Sequence, residues 1–459
     1  MKNTDKKQRG YSTIEIMICL ALVSLFIFGA VELVFGNQEI QVDAQNDGYG
    51  LRLSREGIET ALAQGFDFVP TADVTDGNFT EHVQADWLAG YAKEITSSAS
   101  FVSSGRPRKT ELHSLVVDMS GDLGRDSCSF GFSGSWLIPK LRGAVSVGPG
   151  NPATDADALN GKVFLAANGS TASLPDFFVI DAGNPDNPMV LASLNTGPGI
   201  NSLHVAGDYA FAANSSINGQ LQIIKISDSL HPVVMLNVKL ADAQSGGVGN
   251  SIFYYEGRVY VGTPKNDGPE FFVYDVQHPL APIFLGEFEI GSQVNKIFVY
   301  GDYAYVATGD INRLRILNIS DAGHITEDGD FSDVGGTAQS GESVSMLGGL
   351  AVFGRAGGLP GDHIPELYLL DVNTPATIAK LNSGDINMSV NDIFLRGGLA
   401  FLATNKSGGQ FEIYDYSSGL LNFLSSSALG SDATGLDCDG QNMFVATIGD
   451  PALQIFSAQ

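Results

Sequence analysis

The sequence predicts a mainly β protein: a seven-bladed β-propeller preceded by a long N-terminal transmembrane helix with a small α+β head. Three observations predict this arrangement. A nearly unbroken apolar run opens the chain, a short stretch of alternating polar and apolar residues follows, and a segment of 43–50 residues then recurs to the end. A recurring length of this kind is typical of propeller blades, each made of four short strands.

The opening apolar run, Ile14 to Phe35, follows four basic residues among the first nine. It is long enough to cross a bilayer, for which about 20 residues are needed. The basic flank places the start of the chain in the cytoplasm. A secretory signal peptide would have a shorter apolar region and a small-x-small cleavage site. We therefore expect a membrane span over residues 14–35, and a plain anchor is the simplest alternative to a specialised role.

Glu15 indicates a specialised role, because a carboxylate just inside an apolar span is costly and usually functional. It lies in the segment RGYSTIE, residues 9–15, which resembles the leader of type IV pilins and pseudopilins. The resemblance implies that a prepilin peptidase cleaves after Gly10. It implies that Tyr11, where the family usually has phenylalanine, becomes the methylated N-terminus. It also implies that Glu15 pairs with the N-terminal ammonium of a neighbouring subunit in the dry filament core.

The pilin resemblance implies a leader over residues 1–10, a long helix over 11–65 and a small β head over 66–120. Leu51, Ile58 and Leu62 form an apolar stripe on one face of the helix, as its period requires, and Gly65 is the expected C-cap. Alternating residues on both sides of Gly105 predict a hairpin in the head. The glycine-containing segment 121–137 is expected to be a linker.

Residues 138–459 repeat a common pattern. The segment GDYAFAA at 207–213 recurs as GDYAYVA at 301–307, and weaker copies share a glycine followed by a short apolar strand. The repeat glycines are Gly161, Gly207, Gly257, Gly301, Gly348, Gly397 and Gly440. These repeats resemble the LVIVD family of propeller repeats, which implies one blade for each copy.

The two ends of this region predict a closed ring rather than an open solenoid. The last copy stops at LQIF, residues 453–456, before a fourth strand. Residues 139–150 (PKLRGAVSVGPG) match residues 188–199 (PMVLASLNTGPG), and so supply a fourth strand without its first three. The N-terminal strand is therefore expected to complete the last of seven blades, which also removes exposed sheet edges.

Composition and motifs argue against several classes of function. The net charge of −26 would repel a nucleic-acid backbone. Three cysteines without a Cys/His cluster make a structural zinc site unfavourable, and no Gly-x-Ser-x-Gly elbow of a hydrolase is present. His231 and His278 occupy equivalent turns, which favours turn capping over catalysis. We expect no catalytic residue, no metal and no resident cofactor.

Calcium is the single exception that the sequence leaves open. The segment DGDFSD, Asp328 to Asp333, could bind Ca²⁺ through oxygen ligands. It lacks the spacing and the terminal glutamate of an EF-hand loop, so a solvated acidic turn is the alternative.

A polar residue lies six positions before each repeat glycine, or seven in one case: Asp155, Asn201, Asn250, Asn295, Glu342, Asn391 and Thr434. Two interpretations remain open. These side chains either bond to local backbone at the start of the inner strand, or form a polar ring at one mouth of the channel that binds a cation or a small polar ligand.

The cysteines suggest a disulfide that locks the ring. Cys19 lies in the predicted membrane span, which leaves Cys128 and Cys438 to pair in an oxidising exterior. Cys128 precedes the closing strand, and Cys438 lies on the first strand of the blade which that strand completes. Two unpaired thiols are the alternative.

The sequence as a whole predicts a minor type IV pilin that displays a non-catalytic extracellular propeller for adhesion or for protein or ligand binding. Alternatives are a pseudopilin of a secretion or DNA-uptake system, or a membrane-anchored propeller enzyme. The expected partners are other pilin subunits, the prepilin peptidase, the inner (cytoplasmic) membrane and an extracellular ligand or surface. Before assembly we expect a single-pass membrane protein with an extracytoplasmic propeller. After assembly we expect the protein at the cell surface or in the pilus. The least repeat-like loops, 241–249 and 356–365, are expected to contribute to the binding surface.

Overall fold

A computed structural model describes residues 24, 42–61, 73–89, 92–103, 105–117, 128, 134–169, 171, 173–240, 247–310, 313–333, 340–357 and 364–459. The chain divides into two compact units, Met1–Leu88 with Ala92–Val117 and Ala89–Tyr91 with Asp118–Gln459. Within the described ranges, no helix has the length and apolar character needed to cross a membrane. Gly10, Tyr11, Glu15 and all but one residue of the predicted span 14–35 lie outside these ranges.

The first unit combines a helix, α1, over residues 42–61 with a four-stranded antiparallel sheet. The strands are β1 (Val74–Asp76), β2 (Phe79–Ala89), β3 (Ala92–Ser103) and β4 (Arg106–Val117). The hairpin between β3 and β4 turns where the alternation predicted it, with Ser103 opposite Arg106. Ala61 at the end of α1 packs on Ile95 of β3. The likeness of this unit to a pilin head stays a prediction.

The second unit contains seven four-stranded antiparallel sheets, the blades. Blade 1 has β6 (Ala153–Leu159), β7 (Lys162–Ala167), β8 (Phe177–Asp181) and β9 (Met189–Leu194). Blade 2 has β10 (Ile200–Ala206), β11 (Tyr209–Asn214), β12 (Leu221–Lys225) and β13 (Val233–Val238). Blade 3 has β14 (Ser251–Tyr255), β15 (Arg258–Gly262), β16 (Phe271–Asp275) and β17 (Ile283–Phe288).

The other four blades follow the same order. Blade 4 has β18 (Val294–Tyr300), β19 (Tyr303–Thr308), β20 (Leu314–Asn318) and β21 (Thr326–Phe331). Blade 5 has β22 (Gly341–Leu347), β23 (Leu350–Arg355), β24 (Leu367–Asp371) and, after a 3-10 turn over Pro375–Thr377, β25 (Ala379–Gly384). Blade 6 has β26 (Val390–Arg396), β27 (Leu399–Thr404), β28 (Phe411–Asp415) and β29 (Asn422–Ser427). Blade 7 has β30 (Ala433–Asp439), β31 (Asn442–Thr447), β32 (Leu453–Ser457) and β5 (Lys140–Val145).

The apolar patterns of the strands account for the packing of the blades. The second and third strands, such as β7 and β12, are buried along almost their whole length, because neighbouring blades cover both of their faces. Their sequences are therefore mainly apolar rather than alternating, as in KVFLAA of β7. The fourth strand, such as β13, alternates between exposed and half-buried residues, as expected of an edge that faces solvent.

The ring closes as the chain ends predicted. β5 pairs with β32, with Val145 opposite Leu453 and Lys140 opposite Ser457. The inner strands of consecutive blades contact one another, including β30 of blade 7 and β6 of blade 1. The end of the predicted linker also packs on the ring, since the Trp136 ring lies 4.9 Å from that of Phe401 and is buried.

The meander order gives the ring two distinct ends. At the upper end, each inner strand begins, and the connections between strands two and three and between successive blades are found. At the lower end, the two-residue turns between strands one and two lie beside the connections between strands three and four. The connections 239–250 and 356–366, which contain the two predicted binding loops, both belong to the upper end. Residues 241–246 and 358–363 of these loops lie outside the described ranges.

Candidate ligand site at the channel mouth

A cavity of about 300 Å³ opens at the upper end of the ring, and each residue that lines it is polar. All seven predicted ring residues line this cavity, together with Thr154, Ser202 and Lys296. The inner strands place them there, because each ring residue lies within the first three residues of its inner strand or, for Asn250, immediately before it. The structure therefore brings together residues up to 280 positions apart in the chain (Thr154 and Thr434).

A repeated hydrogen bond joins the ring residues to the next blade. Asn201 donates its side-chain N–H to the carbonyl oxygen of Gly249 at 2.6 Å, and Gly249 immediately precedes Asn250. Asn250 then donates to Val294 at 2.7 Å, the residue before Asn295. Asn295, Asn391 and Thr434 repeat the bond, at 2.7, 2.7 and 3.0 Å, to Gly341, Ala433 and Ala153. The side chains do bond to backbone, but to that of the neighbouring blade, so they join the blades at the mouth.

The structure corrects one member of the predicted ring. Thr154, rather than Asp155, occupies the equivalent position, since its hydroxyl donates to Ile200 at 2.7 Å, just before Asn201. The error arises from counting back from the turn glycine. The β6–β7 turn has Asn160 first, with φ of 52°, and Gly161 second. Most other turns have glycine first, and a two-residue hairpin turn accepts glycine at either place, because a type I′ turn needs positive φ at both central residues and a type II′ turn at the first.

Asp155 instead belongs to a charged cluster on the inner strands, together with Lys296 and Asp392. The Lys296 ammonium lies 2.7 Å from Asp392, and their side chains are only 18 % and 3 % exposed. The Asp155 carboxylate accepts from the Ser202 hydroxyl at 2.8 Å and from the Leu203 N–H at 3.1 Å. Burial raises the pKa of Asp155, and the Lys296 charge opposes that rise. The channel thus contains its own cation between two carboxylates.

Glu342 breaks the pattern of the ring because an ionised carboxylate has no hydrogen to donate. Ser343 takes over the bond, and its hydroxyl donates to Val390, the residue before Asn391, at 2.7 Å. The Glu342 carboxylate accepts from the Ser340 hydroxyl. Burial raises the pKa of Glu342, and the Ser340 hydrogen bond partly offsets this.

The acidic segment 328–333 is not the turn that the sequence left as the alternative to a calcium site. Its first residues belong to β21, an outer strand. Asp328 accepts from the Asn318 amide at 3.0 Å, and Asp333 lies 3.5 Å from the Lys380 ammonium. In the part of the chain that the structure describes, no three His, Cys, Asp or Glu side chains are grouped to hold a metal ion.

The remaining candidate residues lie away from the cavity. His231 contacts Asp228 in its own turn at 2.9 Å. Cys128 and Cys438 form a disulfide with Cα atoms 5.5 Å apart. Cys438 is near the end of β30, and the disulfide therefore lies at the lower end. Sequence reasoning missed Lys296, although it stands where three other inner strands have serine: Ser202, Ser251 and Ser343.

Comparisons with known proteins agree with this fold. The LVIVD repeat matches residues 200–239 and 291–333, which correspond to blades 2 and 4. No curated protein matches the chain. Among solved structures, U3-55K has a TM-score of 0.52 at 11 % identity, over 71 % of this chain and 100 % of that one.

Two further structures give similar values. A chain of the mitotic checkpoint complex has a TM-score of 0.51 at 14 % identity, over 70 % of this chain and 93 % of its own. The computationally designed Ika8 protein has a TM-score of 0.50 at 11 % identity, over 69 % of this chain and 100 % of its own. At such identities the likeness concerns the fold alone. The chain therefore contains LVIVD repeats within a mainly β, propeller-like fold.

Proposed function

We propose that this protein is a minor pilin-like filament subunit that displays a non-catalytic propeller outside the cell for adhesion or ligand capture. The observation that carries the proposal is the separation of features between the two ends of the ring. The polar cavity and both irregular loops belong to the upper end. The chain enters the ring at the lower end, through Cys128 and β5.

This separation suits a display module. Loops on a rigid scaffold vary without disturbing the packed strands, which is why they commonly carry recognition. The polar cavity and the strand ends that flank both irregular loops lie together at the upper end of the ring. The buried second and third strands fix the positions of the strand ends, so the cavity is a preformed feature of that end.

The N-terminal sequence and the disulfide support an extracytoplasmic location. The segment RGYSTIE and the apolar run that follows it resemble a prepilin leader and its membrane helix. A structural disulfide between Cys128 and Cys438 fits an oxidising compartment, because cytosolic thiols are kept reduced.

The test uses the full chain and a truncation after residue 137 that also carries Cys128→Ser, so that no unpaired thiol remains from the disulfide. Membrane insertion, filament incorporation and adhesion are measured on cells. We expect the truncated chain to insert normally and to lose adhesion or partner capture. Wild-type adhesion by the truncated chain would contradict the display role.

Imaging of the labelled propeller separates the related alternatives. Extended filaments support a pilin, whereas compact membrane foci without filaments support a pseudopilin of a secretion or DNA-uptake system. A uniform membrane rim would contradict both assemblies.

A further inference from the structure

The cavity at the channel mouth has one irregular position, and that irregularity indicates a ligand. At six positions a side-chain N–H or O–H of the ring bonds to the backbone of the next blade. At the seventh position Ser343 makes that bond in place of Glu342. The Glu342 carboxylate is therefore not needed to join the blades. Placing a charge in a partly desolvated cavity is costly unless it is paired, and a glutamine there would avoid this cost.

The charges around the cavity leave Glu342 as the group suited to a cationic partner. Three inner strands contribute the other charges: Asp155 from β6, Lys296 from β18 and Asp392 from β26. Lys296 pairs with Asp392 at 2.7 Å and also acts on Asp155. Two carboxylates thus share one ammonium. Glu342 has no ion pair with any described basic side chain, and Ser340 is its hydrogen-bond partner.

The amide groups of the ring complete an acceptor-rich mouth. Asn250, Asn295 and Asn391 each use their side-chain N–H to reach the next blade. Each amide can still offer a ligand its carbonyl oxygen, which accepts, and its second N–H, which donates. The Asn201 oxygen is already bonded to the Ser215 hydroxyl at 3.1 Å. A ligand with several hydroxyls, which both donate and accept, therefore matches these groups.

The size and lining of the cavity restrict the ligand further. Its volume of about 300 Å³ corresponds to about ten water molecules at ~30 Å³ each, which suits a molecule of monosaccharide size. Each lining residue is polar, so an alkyl stem such as that of lysine would find no apolar wall. A hydroxylated amine avoids that mismatch.

We propose that this cavity binds a hydroxylated primary amine of the amino-sugar class. Its ammonium pairs with the Glu342 carboxylate, and its hydroxyls donate to the amide oxygens of Asn250, Asn295 and Asn391. The proposal rests on the proposed function only in that the upper end must be open to the exterior. The same chemistry is offered by a free amino sugar and by a residue within a deacetylated polymer.

The test is calorimetric titration of the full chain in detergent at a pH where the amine is protonated. The probes are glucosamine, a glucosamine oligomer, N-acetylglucosamine, which keeps hydroxyls but loses the charge, and butylamine, which keeps the charge but loses hydroxyls. We expect glucosamine to bind with Kd on the order of 1 mM, and both partial analogues to bind at least about tenfold more weakly. Tighter binding of the oligomer per residue would identify a polymer as the source, and equal binding would identify the free sugar.

Glu342→Gln and a matched control give the decisive comparison. Glu289, an exposed residue of an upper-end connection, lies outside the cavity lining, and Glu289→Gln removes the same charge. We expect Glu342→Gln to weaken glucosamine binding about tenfold or more while its Tm equals or exceeds that of the wild type. We expect Glu289→Gln to change neither value.

Three outcomes would overturn the proposal: no binding of glucosamine to the folded chain, equal binding of N-acetylglucosamine, or an unchanged affinity in Glu342→Gln. These outcomes are distinct from failure of the proposed function. Loss of adhesion on truncation without any binding of amines would reject this inference alone. Amine binding that depends on Glu342, in a chain whose truncation leaves adhesion intact, would reject the display role alone.

Discussion

Replacing Lys296 with methionine should destabilise the ring, because it removes the only ammonium from a buried charged cluster. Lys296 and Asp392 lie 2.7 Å apart and are 18 % and 3 % exposed, so solvent screens their interaction weakly. Removing one partner of a buried pair costs about 3–5 kcal/mol, since the other charge stays buried and unpaired. Methionine has a similar length and largely keeps the packing, so the decrease in the free energy of unfolding measures the effect of removing the charge.

The loss should depend on pH in a defined direction. Burial raises the pKa of Asp155 in the folded chain, and Lys296 opposes that rise. A carboxyl whose pKa is higher folded than unfolded stabilises the fold below its unfolded pKa, and that contribution is lost as pH rises through the folded value. Without Lys296 the folded pKa rises further. The variant should therefore lose more stability than the wild type as pH rises above the ordinary carboxyl pKa of about 4.

Urea unfolding at several pH values measures both effects. Trp136 is buried against Phe401, so its fluorescence follows the unfolding of the ring once Trp87 is replaced by phenylalanine. Lys380→Met is the matched control. Lys380 lies 3.5 Å from Asp333, and the two side chains are 42 % and 25 % exposed, so their interaction should contribute only about 0–1 kcal/mol. A Lys296→Met loss no larger than that of the control, or one that grows on acidification, would refute the reasoning.

Three other predictions concern separate parts of the chain. Cys438→Ser should lower the stability of the ring by several kcal/mol, since the disulfide closes a loop of 310 residues and the chain-entropy model gives about 6 kcal/mol for such a length; non-reducing peptide mapping that finds both thiols free would contradict the bond. The mature protein should begin at methylated Tyr11, which mass spectrometry of the N-terminus tests, and an intact Met1 would reject processing. Glu15→Val should insert but assemble poorly, and normal filament incorporation would count against its pairing role.

Ring closure could be predicted from sequence because it depends on a local pattern. Residues 139–150 have the same proline and glycine framing as the fourth strand of blade 1, residues 188–199, so β5 is identified as a fourth strand without tertiary information. The blade count follows from the seven repeat glycines, one for each copy. Glycine at the hairpin turns supplies the spacing, since these turns need positive φ.

The register of the ring residues could not be fixed from that spacing. Leu159 pairs with Lys162 across a turn whose glycine is second, whereas Ala206 pairs with Tyr209 across a turn whose glycine is first. One residue of difference in the turn moves the count from Thr154 to Asp155. A slip of one residue also reverses the face of a strand, so only the pairing itself shows which side chain reaches the next blade.

The charged cluster is harder still to predict from local sequence patterns. Lys296 and Asp392 belong to blades 4 and 6 and meet only because the inner strands surround one channel. Repetition nevertheless offers a signal, since equivalent positions on other blades show what the fold alone requires. Because several blades have serine at this position, the strand itself does not require a lysine. The two carboxylates that Lys296 faces explain its presence.

The same comparison makes Glu342 informative. Six equivalent side chains show that joining the blades requires a donor at this position, and Ser343 supplies it where Glu342 does not. The fold does not require the Glu342 carboxylate, and its partial burial costs free energy, so its surroundings must explain its presence. Lys296 interacts with two carboxylates of the protein, whereas Glu342 faces the open cavity with a hydroxyl as its hydrogen-bond partner. The first irregularity is therefore satisfied within the protein, and the second calls for a cation from outside it.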